Sequence, residues 1–196
     1  ASFSGRNLTA TLNQPLSDET QVRLSLSKET ANGLYRNQYL DKDDTNGIDE
    51  TYARLKILNT GAHYEALVTL LHANVNNGFD AFSLDNTLNT LSDEPGFDRQ
   101  KTNALAARIT LSLNQHRLEV LGTLSRSELG YGYDEDWSFV GIHPFGYQST
   151  DHYLRNRRHQ ALEMRLMPKA AGEAFNQRGD WVIGLYRTQQ GTELTR

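Results

Sequence analysis

The chain has no cysteine in its 196 residues. Disulfides, thiolate metal sites and cysteine nucleophiles are excluded together, while a cysteine-free chain suits a reducing or an oxidising compartment alike. Positive charge is not in excess: 20 Lys+Arg stand against 24 Asp+Glu. A large phosphate-neutralising surface, and with it nucleic-acid binding, is disfavoured. No run of eighteen apolar residues occurs, so no transmembrane helix is expected. That leaves a membrane β-barrel open, because its alternating strands average out as polar. The length fits one domain. The chain begins Ala1-Ser2-Phe3-Ser4-Gly5 without a charged or apolar leader pattern, and ends Leu194-Thr195-Arg196. The expectation is a piece of a longer protein, one segment over residues 1–196.

Proline is scarce, at four residues. Clusters of Gly, Asn, Asp, Ser and Thr separate alternating segments, which is the pattern of strands and turns. The clearest alternation puts Leu105, Ala107, Ile109, Leu111 and Leu113 on one face and Ala106, Arg108, Thr110 and Ser112 on the other. A two-residue turn at Asn114-Gln115 then pairs Leu111 with Leu118, Ile109 with Val120, Ala107 with Gly122 and Leu105 with Leu124. The other face pairs Ser112 with Arg117 and Thr110 with Glu119, so one turn sorts both faces.

A turn centred on Thr60-Gly61 predicts Ile57 opposite Tyr64, Leu55 opposite Ala66 and Lys56 opposite Glu65, a match of opposite charges. Further strands are expected at Phe3 to Leu12, Thr20 to about Tyr39, Gln160 to Met167, and Trp181 to about Arg187. The fold class is all-β: an antiparallel up-and-down meander of about eight strands.

Connection lengths alternate. Short ones fall near 13–19, 59–62, 114–115 and 168–180, long polar ones near 40–49, 75–102 and 128–158. Gathering every long loop at one end is the habit of outer-membrane barrels. One strand face is Leu, Ile, Val and Ala; the other carries Arg23, Arg54, Lys56, Arg108, Glu119, Glu163 and Arg165. Alternation alone leaves core-and-solvent and lipid-and-lumen both open; the loop asymmetry favours the second, as part of a larger transmembrane barrel.

Four stretches carry a family resemblance: His72 to Asn86 and Tyr131-Gly132-Tyr133-Asp134-Glu135-Asp136-Trp137 as strand exits, Arg158 to Leu166 as a loop return, and Asp180 to Tyr186 as the strand after it. In order and spacing they resemble the barrel of TonB-dependent outer-membrane receptors. The resemblance implies a 22-stranded barrel with an internal plug in the Gram-negative outer membrane. It implies uptake of a scarce nutrient (a ferric siderophore, cobalamin or a glycan) driven by the TonB complex. The implied partners are the rest of the barrel, the plug, the TonB complex, the bilayer and a small nutrient ligand. No plug or TonB-contacting segment is recognised in this chain. Two alternatives stay open: a complete eight-stranded barrel with a structural or adhesion role, and a soluble glycan-binding β-sheet module.

No enzyme is expected. There is no G-x-S-x-G elbow, phosphate-cradling glycine loop or H-E-x-x-H, and no cofactor is implied. Asp41 to Gly47 hints at a calcium loop but has Lys42 and Ala53 where carboxylates belong, so no metal site is assigned. Asp80 and Asp85 lie in a long acidic loop that either contacts a ligand or is simply solvated. Tyr131, Tyr133 and Trp137 are candidates for ligand contact at the receptor mouth. An aromatic girdle at the membrane interface is the favoured reading for Tyr131 and Tyr133.

Overall fold

A computed structural model describes residues 2–169 and 180–196. Among the described residues ten strands form: β1 (Arg6–Pro15), β2 (Thr20–Ala31), β3 (Arg36–Asn37), β4 (Ile48–Gly61), β5 (Tyr64–Phe79), β6 (Asn89–Thr90), β7 (Gly96–Ser112), β8 (His116–Asp134), β9 (Thr150–Pro168) and β10 (Ile183–Thr195). Eight of them make one antiparallel up-and-down sheet in the order β1-β2-β4-β5-β7-β8-β9-β10. The strands β3 and β6 form a separate parallel pair. β1 and β10 are the two edges and do not pair with each other.

The β7–β8 register has the expected pairs, Leu111 with Leu118 through Leu105 with Leu124. The β4–β5 hairpin differs. Ile57 faces Val68 and Leu55 faces Leu70, a slip of four residues from the expected pairing, because the turn lies at Ala62-His63. An even slip leaves every side chain on its face, so the alternation could not detect it. Tyr64 then sits opposite Gly61 and donates to Asn59 Oδ1 at 2.6 Å. Lys56 consequently faces Thr69, and the partner of Glu65 is Arg108, at 3.0 Å.

Most strands run longer than the alternation suggested, so the second and third long loops shrink to 80–95 and 135–149, while the first grows to 32–47. β2 is the exception. It stops at Ala31 rather than near Tyr39, and β1 starts at Arg6 because Phe3 and Ser4 have left-handed backbone (φ 56° and 51°). All three long loops still share one end, opposite the turns at 16–19, 62–63 and 113–115. Most of the 168–180 connection lies outside the described residues.

Following the register across the sheet separates two faces. One carries Leu12, Leu24, Leu55, Leu70, Leu105 and Leu124 in a single row. The other carries Arg23, Lys56, Arg54, Arg108, Glu119, Glu163 and Arg165, with ion pairs such as Arg117–Glu119 at 3.3 Å and Arg165–Glu163 at 2.6 Å. Among the described residues no second layer covers the leucines: Leu124 is 52% exposed and Leu185 71%. Among the described residues the single buried hydrophobic side chain is Ala73, while Asn37, Asp80, Thr90, Ser92, Asp134, Ser138 and Asp151 are buried. The usual arrangement of a soluble domain is inverted, with an exposed apolar wall and polar residues packed at the loop end.

The apolar band crosses the sheet obliquely. Its loop-side limit is Leu8 on β1, Leu26 on β2, Leu70 on β5, Leu124 on β8, Leu162 on β9 and Leu185 on β10. In the row of Leu8, the β10 residue is Glu193, eight positions further toward the loops than Leu185.

Candidate functional site

The loop end is stitched together by buried polar groups. Asn37 Nδ2 donates to Asp80 Oδ2 at 2.9 Å and to the Ser92 carbonyl at 2.7 Å, and the Thr90 hydroxyl donates to the same Asp80 oxygen at 2.9 Å. With the β3–β6 pairing these bonds fuse the first two long loops. The third joins through the Asp93 amide, which donates to the Ser138 carbonyl at 3.1 Å, and through stacking of Tyr39 on Phe139 (centroids 4.5 Å apart, planes 16° apart). Asp136 closes loop 135–149 by accepting from the Ser138 and Ser149 amides at 2.9 and 3.0 Å.

Asp134, at the last position of β8, is buried beside this junction. Burial pushes its carboxyl up to about 6, and the nearby Asp136 and Asp93 add to the rise while Ser92 opposes it. Asp134 Oδ2, Asp93 Oδ1 and Ser92 Oγ are buried without hydrogen-bond partners. Among the described residues no three acidic or histidine side chains are grouped to hold a metal ion.

The three aromatic candidates come together. Tyr131 and Tyr133 approach to 5.8 Å. Phe82 stacks on Trp137 (4.9 Å, 14°) and meets Tyr133 edge-on at 5.6 Å. Phe79 meets Phe82 and Tyr131 at 5.5 and 5.1 Å. Trp137 adopts φ 61°, a left-handed backbone that a bulky residue holds only when its surroundings fix it.

Tyr131 lies in the row of Asp98 and Tyr153, on the ionic face rather than the apolar one. The girdle expectation for Tyr131 and Tyr133 is therefore corrected, because a girdle residue must share the lipid-directed face. Tyr64, opposite Leu111, is the aromatic residue at the turn end of the apolar face.

The acidic candidates part company. Asp80 is buried, with its carboxylate engaged in holding loops. Asp85 is exposed in a local turn, bonded by Ser83 Oγ at 2.6 Å and Thr87 Oγ1 at 2.7 Å, which hold its carboxyl below the ordinary value. Sequence reasoning did not single out Phe79 and Phe82, which cement the aromatic set, nor Asn37. It also missed Asp151, which accepts from Arg196 Nε at 2.8 Å and from the Tyr153 hydroxyl at 2.6 Å. The Arg196 hydrogen bonds lower the Asp151 carboxyl to about 2.

No family model matches the chain, and no curated protein matches it in sequence. Solved structures do match in shape. The ferric yersiniabactin uptake receptor FyuA from Yersinia pestis superposes with a TM-score of 0.78 at 12% identity, over 98% of this chain and 30% of the receptor. What the two share is the fold, an antiparallel up-and-down sheet. The ferric-catecholate import receptor Fiu from E. coli K12 superposes with TM-scores of 0.73 in its closed form and 0.70 in its open form, at 14% and 15% identity. The chain covers 30% and 33% of those two Fiu chains, and so spans about a third of the length of the receptors it resembles.

Proposed function

We propose that this chain is part of the wall of an outer-membrane barrel that imports a scarce nutrient, in the TonB-dependent receptor class. The observation that carries this reading is the oblique apolar band. Eight residues of drift over seven strand-to-strand steps is about one residue, or ~3.8 Å, for each ~4.8 Å step, a tilt of roughly 38°. Strands of outer-membrane barrels tilt by about 35–45°. A horizontal slab of hydrocarbon cutting through tilted strands marks them along just such a diagonal. A soluble core has no reason to follow it.

The ionic face then lines the lumen, and the fused loops stand at the outer mouth. The aromatic cluster of Tyr131, Tyr133, Phe82 and Trp137 continues the lumen face, so it is placed to contact an incoming ligand. An aromatic wall suits an iron chelate with aromatic rings, and the structural neighbours are named for ferric yersiniabactin and ferric-catecholate import. The plug, the remaining strands and the TonB complex are the partners this reading requires, and the Gram-negative outer membrane is its location.

These 196 residues contain no cysteine, so introduced ones read out directly once any elsewhere in the full-length protein are replaced by serine. Single cysteines at Leu24, Leu105 and Leu124, and at Arg23, Ala106 and Thr123, are placed in the full-length protein in outer membranes. The first three should react with a lipid-soluble maleimide and resist a charged one; the second three should do the reverse. Equal labelling of both sets would sink the barrel-wall assignment. Import is tested separately by iron-55 chelate uptake with the inner-membrane proton gradient intact and collapsed. Uptake indifferent to the gradient would reject the TonB class.

A further inference from the structure

The second and third long loops carry Asp80, Asp85, Asp93, Glu94, Glu135 and Asp136 and not one Lys or Arg. A surface of one sign steers ions of the other toward it, so this part of the mouth draws in cations. That field by itself selects no particular group. A cavity between the two loops does.

The cavity holds about 10 Å³, and its walls include Phe79, Phe82, Tyr133, Trp137, Ser92 and Asp134. That is room for one water-sized group. Two of the lining side chains are almost sealed from solvent, Ser92 at 2% exposure and Asp134 at 5%. Ser92 Oγ and Asp134 Oδ2 have no hydrogen-bond partner. A buried polar atom left unpaired is costly, so both call for a donor. The charges acting on Asp134 are those of Asp136 and Asp93, both negative.

A water in the cavity would supply donors but leave these carboxylates uncompensated. A hard metal ion takes about six or more oxygen ligands, whereas half of this lining is aromatic ring. A protonated primary amine suits both halves. Its charge is attracted to the aromatic rings. Its N–H groups can donate to Ser92 Oγ and to Asp134 Oδ2, and the bond to the carboxylate is charge-assisted.

We propose that this cavity receives a protonated primary amine carried by the ligand at the mouth. The proposal rests on the import role proposed for the chain and narrows the ligand to one with an alkylammonium arm.

The test uses the full-length protein in zwitterionic detergent, labelled with fluorotryptophan. The fluorine resonance of Trp137 is assigned by its loss in Trp137→Phe. At neutral pH it is titrated with n-butylamine, n-butanol, n-butyltrimethylammonium and calcium chloride. Butylamine, protonated under these conditions, should shift the resonance saturably; butanol lacks the charge and the trimethyl head is too large for the cavity, so both should fail. Asp134→Asn should weaken butylamine binding about tenfold or more, and Ser92→Ala should weaken it as well. Glu94→Gln removes the same charge from an exposed position of the second loop and should change binding less than about twofold. Heat-modifiable gel migration confirms that the variants remain folded. No shift with butylamine, or an equal shift with butanol or the trimethyl compound, overturns the proposal. Equal losses in the Asp134 and Glu94 variants overturn it too, in favour of a diffuse field. The same shift from calcium at lower concentration overturns it in favour of a metal-ion site. Lipid-accessible labelling at Leu124 with no butylamine shift sinks this proposal alone; water-accessible labelling at Leu124 sinks the wall reading, which no amine titration can do.

Discussion

Phe82 and Trp137 stack with ring centroids 4.9 Å apart and planes 14° from parallel, joining the second and third long loops. Trp137→Ala removes the upper half of this pair. An aromatic contact of this kind contributes about 1 kcal/mol beyond its area. Amide exchange across residues 135–149 should therefore quicken about fivefold, while exchange in β7 and β8 stays as it was. Unchanged exchange in the loop would show that the stack does not hold it.

Asp80 binds two loops through one carboxylate. In Asp80→Ala the Thr90 hydroxyl loses its acceptor and Asn37 Nδ2 keeps only the Ser92 carbonyl. A buried donor left unpaired costs about 1–3 kcal/mol. Trypsin should cut at Arg36 and Lys42 many times faster in the variant than in the parent protein. Identical cleavage rates would mean that the first loop is held by other contacts.

Asp134 should make the loop junction sensitive to pH. Its folded carboxyl is raised to about 6 from an ordinary 3.8, so the folded state binds the proton more tightly than the unfolded one. Stability from this group is greatest below about pH 4 and is lost as pH rises through about 6. Asp134→Asn should abolish that part of the pH dependence and protect the junction at pH 7.5. Asp151 acts in the opposite sense, but its contribution is lost only as pH falls below the ordinary carboxylate range toward 2. Loop exchange rates at pH 5 and 7.5, taken as the difference between parent and Asp134→Asn, give the answer. A difference that is flat across that interval would contradict the assignment.

Two glycines should respond oppositely to alanine. A Cβ at Gly96 would collide with the Gly132 carbonyl oxygen, so Gly96→Ala must force β7 and β8 apart at their loop end. A Cβ at Gly122 meets nothing within 4 Å. Gly96→Ala should cost about 1–3 kcal/mol, and Gly122→Ala should be neutral or stabilising by up to about 1 kcal/mol. Refolding midpoints in urea, compared between the two variants, would expose a reversal of that order.

How much could be seen in the residue order varied along each strand. In β8, Leu118, Val120, Gly122 and Leu124 alternate with Arg117, Glu119 and Thr123, and the register with β7 followed directly. Beyond Leu124 the same strand continues through Arg126 and Glu128 to Asp134 with polar residues on both sides. There the alternation vanishes although the ladder does not, because water on both faces imposes no period of two. Strand ends above the band were invisible for that reason, and the second and third long loops looked longer than they are.

The sequence by itself determined the strands inside the apolar band, their up-and-down order and which face is greasy, since burial against one apolar medium writes a period of two. Tertiary structure alone decided the four-residue slip at Ala62-His63, because an even shift keeps every face intact. It also decided the meeting of Phe82 with Trp137 and of Asn37 with Asp80. Those contacts depend on how separate loops fold back over the strand ends, and no local periodicity encodes a distance between them.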